Sequence, residues 1–238
     1  MPPYDPEATL ATTDFAVGRE ANDVLRPADS PSRPKGWRVE TVGADALAEG
    51  VNFGAWLTRD DQQSAERQAA LGVRVSGGGA PLVIDAPLSL LLAQEVRSPF
   101  SGTYRFTIRA CGDATSPEFY EQALASKFRC RLVFFRYTEA SKRISDREEI
   151  ASVEFSPVLC DPAEPAFAEH SLTHRFINDT PGGNFSFGLG LGVGIAVERT
   201  AQAPLELATS AADQHAALCI ASVRLEHTGK EINPDVVV

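Results

Sequence analysis

The feature that most constrains the fold is a strict alternation of apolar and polar residues over 103–111. One side of this extended stretch carries apolar residues: Tyr104, Phe106, Ile108 and Ala110. The other side carries polar residues: Thr103, Arg105, Thr107 and Arg109. A period of two predicts a β-strand with one buried face. Such a strand needs a second layer over its apolar face, so the chain is expected to form packed sheets.

Strand-like runs recur along the chain and are separated by loops rich in Gly, Pro and Asp. The further predicted strands lie at 37–42, 73–75, 82–96 with a break at Pro87, 128–137, 150–155, 169–177, 184–197 and 218–227. Two short surface helices are predicted, one over the polar stretch 60–71 and one starting at Ser116-Pro117 and ending near residue 126. Strands and helices do not alternate as a parallel sheet requires. The sequence therefore predicts a mostly-β, antiparallel sandwich.

The chain of 238 residues is predicted to form one domain. Residues 1–36 are expected to form an extended N-terminal arm, with the sandwich over 37–230 and a C-terminal tail over 231–238. The four cysteines, which form no Cys-x-x-Cys motif, are Cys111, Cys130, Cys160 and Cys219. We interpret them as free thiols that pack like small apolar groups, with one or two disulfides in an exported protein as the alternative.

The formal net charge of −10 argues against nucleic acid as a partner, because nucleic-acid binding depends on neutralising phosphate charge. No apolar run approaches the roughly 20 residues that cross a bilayer, so membrane insertion is not expected. Residues 1–7 lack the basic and hydrophobic regions of a signal peptide. We expect a cytoplasmic protein or, if the chain belongs to a larger exported protein, an extracellular or periplasmic one.

Catalytic motifs are absent from the sequence, and no enzyme activity is predicted. The glycines of 188–194 alternate with apolar residues, which does not fit the dinucleotide fingerprint. Their glycine face is expected to allow close packing, with the floor of a ligand groove as the alternative. His170 and His174 would lie about 13 Å apart on one strand, too far for one metal ion. A pair of catalytic carboxylates dispersed along the chain stays open.

A row of cations is the main candidate site. The cations expected on the outward side of one strand are Lys127, Arg129 and Arg131, and those on the preceding strand are Arg105 and Arg109. The first interpretation is that Glu148 and Glu154 form salt bridges with these cations at the surface. The second is an anion site for a carboxylate- or sulfate-bearing partner, in which Arg129 and Arg131 bind the ligand.

Aromatic rings that could stack on a sugar are few in this chain. Trp56, in a stretch expected to be a loop, is the best candidate for a binding platform. Tyr137, at the end of the strand that carries Arg129 and Arg131, is the second. Core packing is the alternative for both rings, because aromatic side chains are the largest units of buried area.

Several short motifs span residues 34–227. They are Pro34-Lys35-Gly36-Trp37, Gly72-Val73-Arg74-Val75, Leu92-Ala93-Gln94-Glu95-Val96, Ser101-Gly102-Thr103-Tyr104 with the strand after it, and Cys219-Ile220-Ala221-Ser222-Val223-Arg224-Leu225. With the order of the predicted strands, they resemble the galactose-binding-like jelly-roll domains, especially carbohydrate-binding modules attached to bacterial glycanases.

The resemblance implies a jelly-roll β-sandwich that acts as a non-catalytic binding module for a glycan or another extracellular polymer. Similar jelly rolls also serve as structural or docking subunits of larger protein assemblies, and a protein partner is therefore the alternative. The family's closing strand commonly carries an Asp pair that helps frame a structural calcium site, whereas this chain has Ala221 and Ser222. No cofactor is predicted, and a structural calcium is left open.

Overall fold

The computed structural model describes residues 13–14, 24–25, 37–58, 68–76, 82–85, 87–96, 101–137, 147–161, 166–177, 190–199, 204–207 and 212–230. The strands in this part of the chain are β1 (Thr13–Asp14), β2 (Val24–Leu25), β3 (Trp37–Val42), β4 (Val51–Thr58), β5 (Gln68–Val75), β6 (Leu82–Ile84), β7 (Ser89–Val96), β8 (Gly102–Ala114), β9 (Phe128–Tyr137), β10 (Glu148–Phe155), β11 (Ala168–Phe176), β12 (Gly190–Arg199), β13 (Leu205–Leu207) and β14 (Gln214–Lys230). The helical pieces are a 3₁₀ turn (Ala44–Ala46), α1 (Pro117–Tyr120) and the π-helical turn that continues it (Glu121–Ala125).

The strands form two antiparallel sheets and a short third ladder. Sheet A has the order β11-β8-β14-β5-β4-β2, with β1 paired to β14. Sheet B has the order β10-β9-β12-β7-β3, and β13 pairs with β6 apart from both. The predicted antiparallel β-sandwich is confirmed.

The connectivity is that of a jelly roll. Eight strands form nested pairs. Strand β5 pairs with β14, and β7 pairs with β12. Inside these, β8 pairs with β11, and β9 pairs with β10. This nested pairing is a long hairpin folded over so that its strands divide between two sheets. Strands β4 and β3 then extend sheets A and B respectively.

The core lies between the two sheets and uses the apolar face that the alternation in β8 predicted. Tyr104, Phe106 and Ile108 are at most 1% exposed. Across the sandwich Phe106 meets Phe134 of β9 edge to face, with ring centroids 6.3 Å apart. Burial of each side chain of this size stabilises the fold by roughly 1.5–3 kcal/mol.

The helix that starts at Ser116 is confirmed, whereas the other predicted helix is not. The Ser116 hydroxyl oxygen accepts a hydrogen bond from the Phe119 amide at 3.2 Å and so caps the helix. The predicted helix over 60–71 is wrong at 68–71, which lie in β5, and its remaining residues are outside the described part. A central strand that pairs on both sides overrides helix propensity. No helix in the described residues is long and apolar enough to cross a bilayer.

The interpretation of Trp56 as a loop residue is wrong, because the residue lies in β4. The predicted strand at 184–197 corresponds to β12, and its first six residues lie outside the described part. Most of the predicted arm, 1–36, and all of the tail, 231–238, also lie outside it. Within the arm, β1 pairs with Ser222 and Val223 of β14, and β2 pairs with β4. The arm boundary stays a prediction.

Candidate functional site

Arg129 and Arg131 of the predicted cation row lie on the outer face of sheet B, where two carboxylates hold Arg131. Its Nε and Nη2 donate to Glu198 at 3.0–3.2 Å, and its Nη1 donates to Glu149 at 2.8 Å. Burial lowers the pKa of Arg131, but the hydrogen bonds to Glu198 and Glu149 outweigh it and the pKa is raised. The salt-bridged interpretation fits Arg131. Arg129 is exposed and has no hydrogen bond or ion pair within the described part.

The partners of Arg131 differ from those expected, and the cations of the two strands lie on different sheets. The carboxylates bonded to Arg131 are Glu149 and Glu198 and not the expected Glu148 and Glu154, although Glu154 is opposite Arg131 in the ladder. Glu148 is opposite Arg136 instead. The arginines of β8 do not face those of β9 either, since the two strands lie in different sheets.

The two aromatic candidates differ in what the structure shows. Trp56 is 2% exposed, and the Arg74 guanidinium carbon lies 4.2 Å from the centre of its ring. A ring covered in this way offers no open face to a sugar. Tyr137 ends β9 opposite Gly190, and its side chain is outside the described part. Trp56 is therefore not the exposed platform expected from the sequence, whereas a ligand-binding role for Tyr137 stays a prediction.

The glycines of β12 allow close packing, as expected. A Cβ on Gly192 would lie 2.0 Å from the Phe135 ring, and one on Gly194 would lie 2.7 Å from a Leu91 methyl group. Side chains of the flanking strands therefore lie flat over β12, and Phe135 is only 3% exposed. This face is filled by the protein's own side chains.

His170 and His174 of β11 point between the sheets at their open edge. The His170 ring stacks on Phe155 at 4.3 Å, and the His174 ring lies 5.7 Å from Phe134. Burial lowers the pKa of both imidazoles, and for His174 the charge of Arg136 lowers it further. The predicted structural role of this pair is consistent with these contacts.

Acid is expected to destabilise the fold through these two histidines. Because their pKa values in the folded state lie below the ordinary 6.5, the unfolded chain takes up protons first as the pH falls. Their contribution is therefore intact above pH 6.5 and is lost as the pH falls towards the lowered values. Urea denaturation at about pH 7.5 and 5.5 measures this loss. A His170→Gln/His174→Gln variant should show a flatter pH dependence, and an unchanged dependence would contradict the assignment.

A recess of about 190 Å³ on the outer face of sheet A brings together polar side chains of three strands. The residues that line it include Arg105, Thr107 and Arg109 of β8, Glu169 of β11, and Arg224 and Glu226 of β14. Strand register places them together, because Arg109 is opposite Glu169 on one side of β8 and Arg105 is opposite Glu226 on the other. We call this group the arginine recess.

Four of the charged groups in the arginine recess are paired, and one is not. Arg105 lies 3.8 Å from Glu169, and Arg224 contacts Glu226 on its own strand. Arg109 is exposed and has no hydrogen bond or ion pair in the described residues. Three arginines against two glutamates leave a formal charge of +1 in the recess of a chain with −10 overall.

The arginine recess is suited to a ligand that carries hydroxyl groups and negative charge. A guanidinium offers a planar fork of N–H donors that matches a carboxylate or sulfate. The glutamates and Thr107 can accept hydrogen bonds from hydroxyl groups. The sequence identified Arg105 and Arg109 as outward residues but missed Glu169, Arg224 and Glu226. The alternation along 218–227 places Arg224 and Glu226 on one face of that strand, so the sequence could have identified these two residues as neighbours.

Among the described residues, no group of three or more His, Cys, Asp and Glu side chains is arranged to hold a metal ion. The structural calcium left open by the sequence therefore has no cluster of three carboxylates to bind it in that part of the chain.

No protein-family model and no curated protein matches the chain. Similar solved structures include a carbohydrate-binding module in complex with β-1,4-galactotriose, at 15% identity and a TM-score of 0.34 over 81% of this chain and 89% of the module. A xylan-binding domain from Paenibacillus barcinonensis has 13% identity and a TM-score of 0.38, with 92% and 99% covered. Tailspike protein 4 of bacteriophage CBA120 has 9% identity and a TM-score of 0.37, with 81% and 19% covered. At these identities and TM-scores, the similarity to these structures does not indicate what this chain binds.

Proposed function

We propose that this protein is a non-catalytic binding module for a glycan, and that the arginine recess on sheet A is where the glycan binds. The observation that carries the proposal is the guanidinium of Arg109, which has no hydrogen bond or ion pair among the described residues, in a recess whose other described charged groups are paired. An open cation between polar neighbours attracts an anionic, hydroxyl-rich ligand. The motif resemblance described above supports a glycan as that ligand.

An acidic sugar fits the recess better than a neutral one. The unpaired Arg109 can donate two hydrogen bonds to one carboxylate, and the pairs around it can exchange hydrogen bonds with sugar hydroxyls. Removal of a hydrogen bond to a charged group typically costs 1.5–3 kcal/mol, which corresponds to roughly tenfold or more in affinity. The preferred ligand is thus a glycan with uronic acid or sulfated units.

The carboxylates of the arginine recess do not have the surroundings of a glycosidase pair. A glycosidase needs one carboxyl group held protonated, which usually follows from burial in an apolar pocket. Glu169 and Glu226 are instead partly exposed and contact Arg105 and Arg224. These surroundings support a binding role rather than hydrolysis.

We expect Arg109→Ala to weaken glycan binding about tenfold or more, because it removes the unpaired cation. The measurement is a glycan-array screen of the purified chain against neutral, uronic-acid and sulfated glycans. Arg129→Ala is the matched control, since Arg129 is also exposed and unpaired but lies on the outer face of the other sheet. It should bind like the parent protein.

Three outcomes would contradict the proposal. Loss of binding in Arg129→Ala with retention in Arg109→Ala would move the site to the cation row of sheet B. Selective binding that survives both changes would place the ligand elsewhere. Absence of binding to every glycan on the array would favour the alternative that the protein is a structural or docking subunit. Mass measurement of native complexes would then identify its partner.

A further inference from the structure

Three cysteines meet on the outer face of sheet A, beyond the arginine recess along β8. We call Cys111, Cys160 and Cys219 the thiol cluster. Cys111 of β8 and Cys219 of β14 are directly opposite in the ladder. Cys160 comes from the segment that follows β10 and reaches β8 from the other side.

Two main-chain hydrogen bonds hold Cys160 beside Cys111. The Gly112 amide donates to the Val158 carbonyl at 2.7 Å, and the Cys160 amide donates to the Gly112 carbonyl at 2.8 Å. Leu159 is thereby bridged in parallel to Gly112. The segment 157–161 thus lies along the edge of sheet A beside Gly112, just beyond the point where the β11–β8 ladder stops at Ala110.

The contacts of the three thiols differ. The Cys160 side chain packs against the cluster that contains Cys111, and the Cys160 thiol donates to the Ala166 carbonyl at 3.7 Å. The Cys219 thiol instead donates to the Asp113 carboxylate at 3.9 Å, and His215 lies 3.1 Å from the same oxygen. Cys219 therefore has a hydrogen-bond partner of its own, which leaves Cys111 and Cys160 as the pair of this cluster.

We propose that Cys111 and Cys160 form a disulfide, a modification that fastens segment 157–161 to β8. Cys160 is the only partly exposed thiol of the cluster, while Cys111 and Cys219 are buried. Their side chains pack in one cluster and belong to neighbouring extended segments joined by two main-chain hydrogen bonds, an arrangement compatible with a disulfide. This inference is independent of the proposed glycan site.

The reaction needs an oxidant, and a small-molecule disulfide such as oxidised glutathione supplies it. The Cys160 thiolate attacks one sulfur of glutathione disulfide and releases one glutathione thiolate. The Cys111 thiolate then attacks Cys160 in this mixed disulfide and releases the second. Two thiol protons are transferred to the two departing thiolates, so two protein thiols and one disulfide become one protein disulfide and two thiols.

Burial raises the pKa of the Cys111 thiol, and the hydrogen bond to Cys160 and the charge of Asp113 act in the same direction. Cys111 is therefore largely protonated at neutral pH, and the second step is slow. The same burial shields the finished bond from reducing thiols. The apolar cover comes from Trp56, Ala70 and Ala217, with Phe167 packed against them.

The test is to equilibrate the full chain with oxidised glutathione, alkylate the remaining thiols and analyse its peptides by mass spectrometry. We expect a Cys111–Cys160 cross-linked peptide pair, and a Tm raised by roughly 10 °C for a closed loop of about 50 residues. Cys219→Ser and Cys130→Ser should keep both effects. Cys160→Ser should lose both.

A Cys111–Cys219 cross-link, glutathione retained on Cys160, or four alkylated thiols after long equilibration would each overturn the proposal. The peptide analysis of the parent protein decides the matter even if a variant folds poorly. A cross-link without any rise in Tm would overturn the claim that the bond fastens the segment.

Discussion

Phe134→Ala is expected to lower the free energy of unfolding by about 3–5 kcal/mol. Phe134 is fully buried in the middle of β9, and its ring contacts Phe106 of the opposite sheet and His174 at the open edge. The change removes a ring and leaves a cavity that rigid strands on both sides cannot close. Urea denaturation followed by fluorescence or circular dichroism measures the loss.

The control for Phe134→Ala is Val158→Ala. Val158 is 73% exposed, so its truncation should change the free energy of unfolding by less than about 0.5 kcal/mol. Phe134→Leu, which keeps part of the volume, should fall between the two. A loss below about 1 kcal/mol in Phe134→Ala would mean that the ring does not join the two sheets as described.

Gly72→Ala is expected to be nearly as damaging, although it adds only one methyl group. A Cβ at Gly72 would lie 2.2 Å from the Ala216 carbonyl oxygen and 2.7 Å from the Ala217 Cα. Both atoms belong to the main chain of β14, so they cannot rotate away as a side chain could. The change forces β5 and β14 apart in the middle of sheet A, at a cost of about 3 kcal/mol.

Gly54→Ala is the matched control, because Gly54 is the neighbour of Gly72 on the adjacent strand. Among the described residues, its Cβ would meet only the Asn52 side-chain oxygen at 3.2 Å, which can shift. We expect a change within about 1 kcal/mol, since a tolerated alanine also restricts the unfolded chain. Equal losses in the two variants would show that the close approach at Gly72 is absent.

The sequence predicted β8 from its one buried face and missed β4, whose residues 53–56 are buried on both faces. In β8 the period of two identified the core side directly, because the opposite side faces solvent. In β4, Phe53 and Ala55 pack in the main core while Trp56 packs on the outer face under Arg74. Burial on both faces removes the alternation, and Trp56 was therefore assigned to a loop.

The candidate site was predicted in part for a similar reason. Outward positions follow from alternation, so Arg105 and Arg109 were identified. Their neighbours depend on which strands pair, and in a jelly roll the next strand in the chain, β9, goes to the other sheet. Glu169 and Arg224 come from strands more than 50 residues away in the chain, beyond the reach of local patterns.

Calorimetric titration of the parent protein tests the role of Arg109 directly. The ligands are two oligosaccharides of equal length, one built of uronic acids and the other of the corresponding neutral sugars. If Arg109 receives an acidic glycan, the acidic oligosaccharide should bind about tenfold more tightly or better, and Arg109→Ala should abolish the difference. Equal affinities for the two ligands, or a preference that persists in Arg109→Ala, would contradict the assignment of the arginine recess as the binding site.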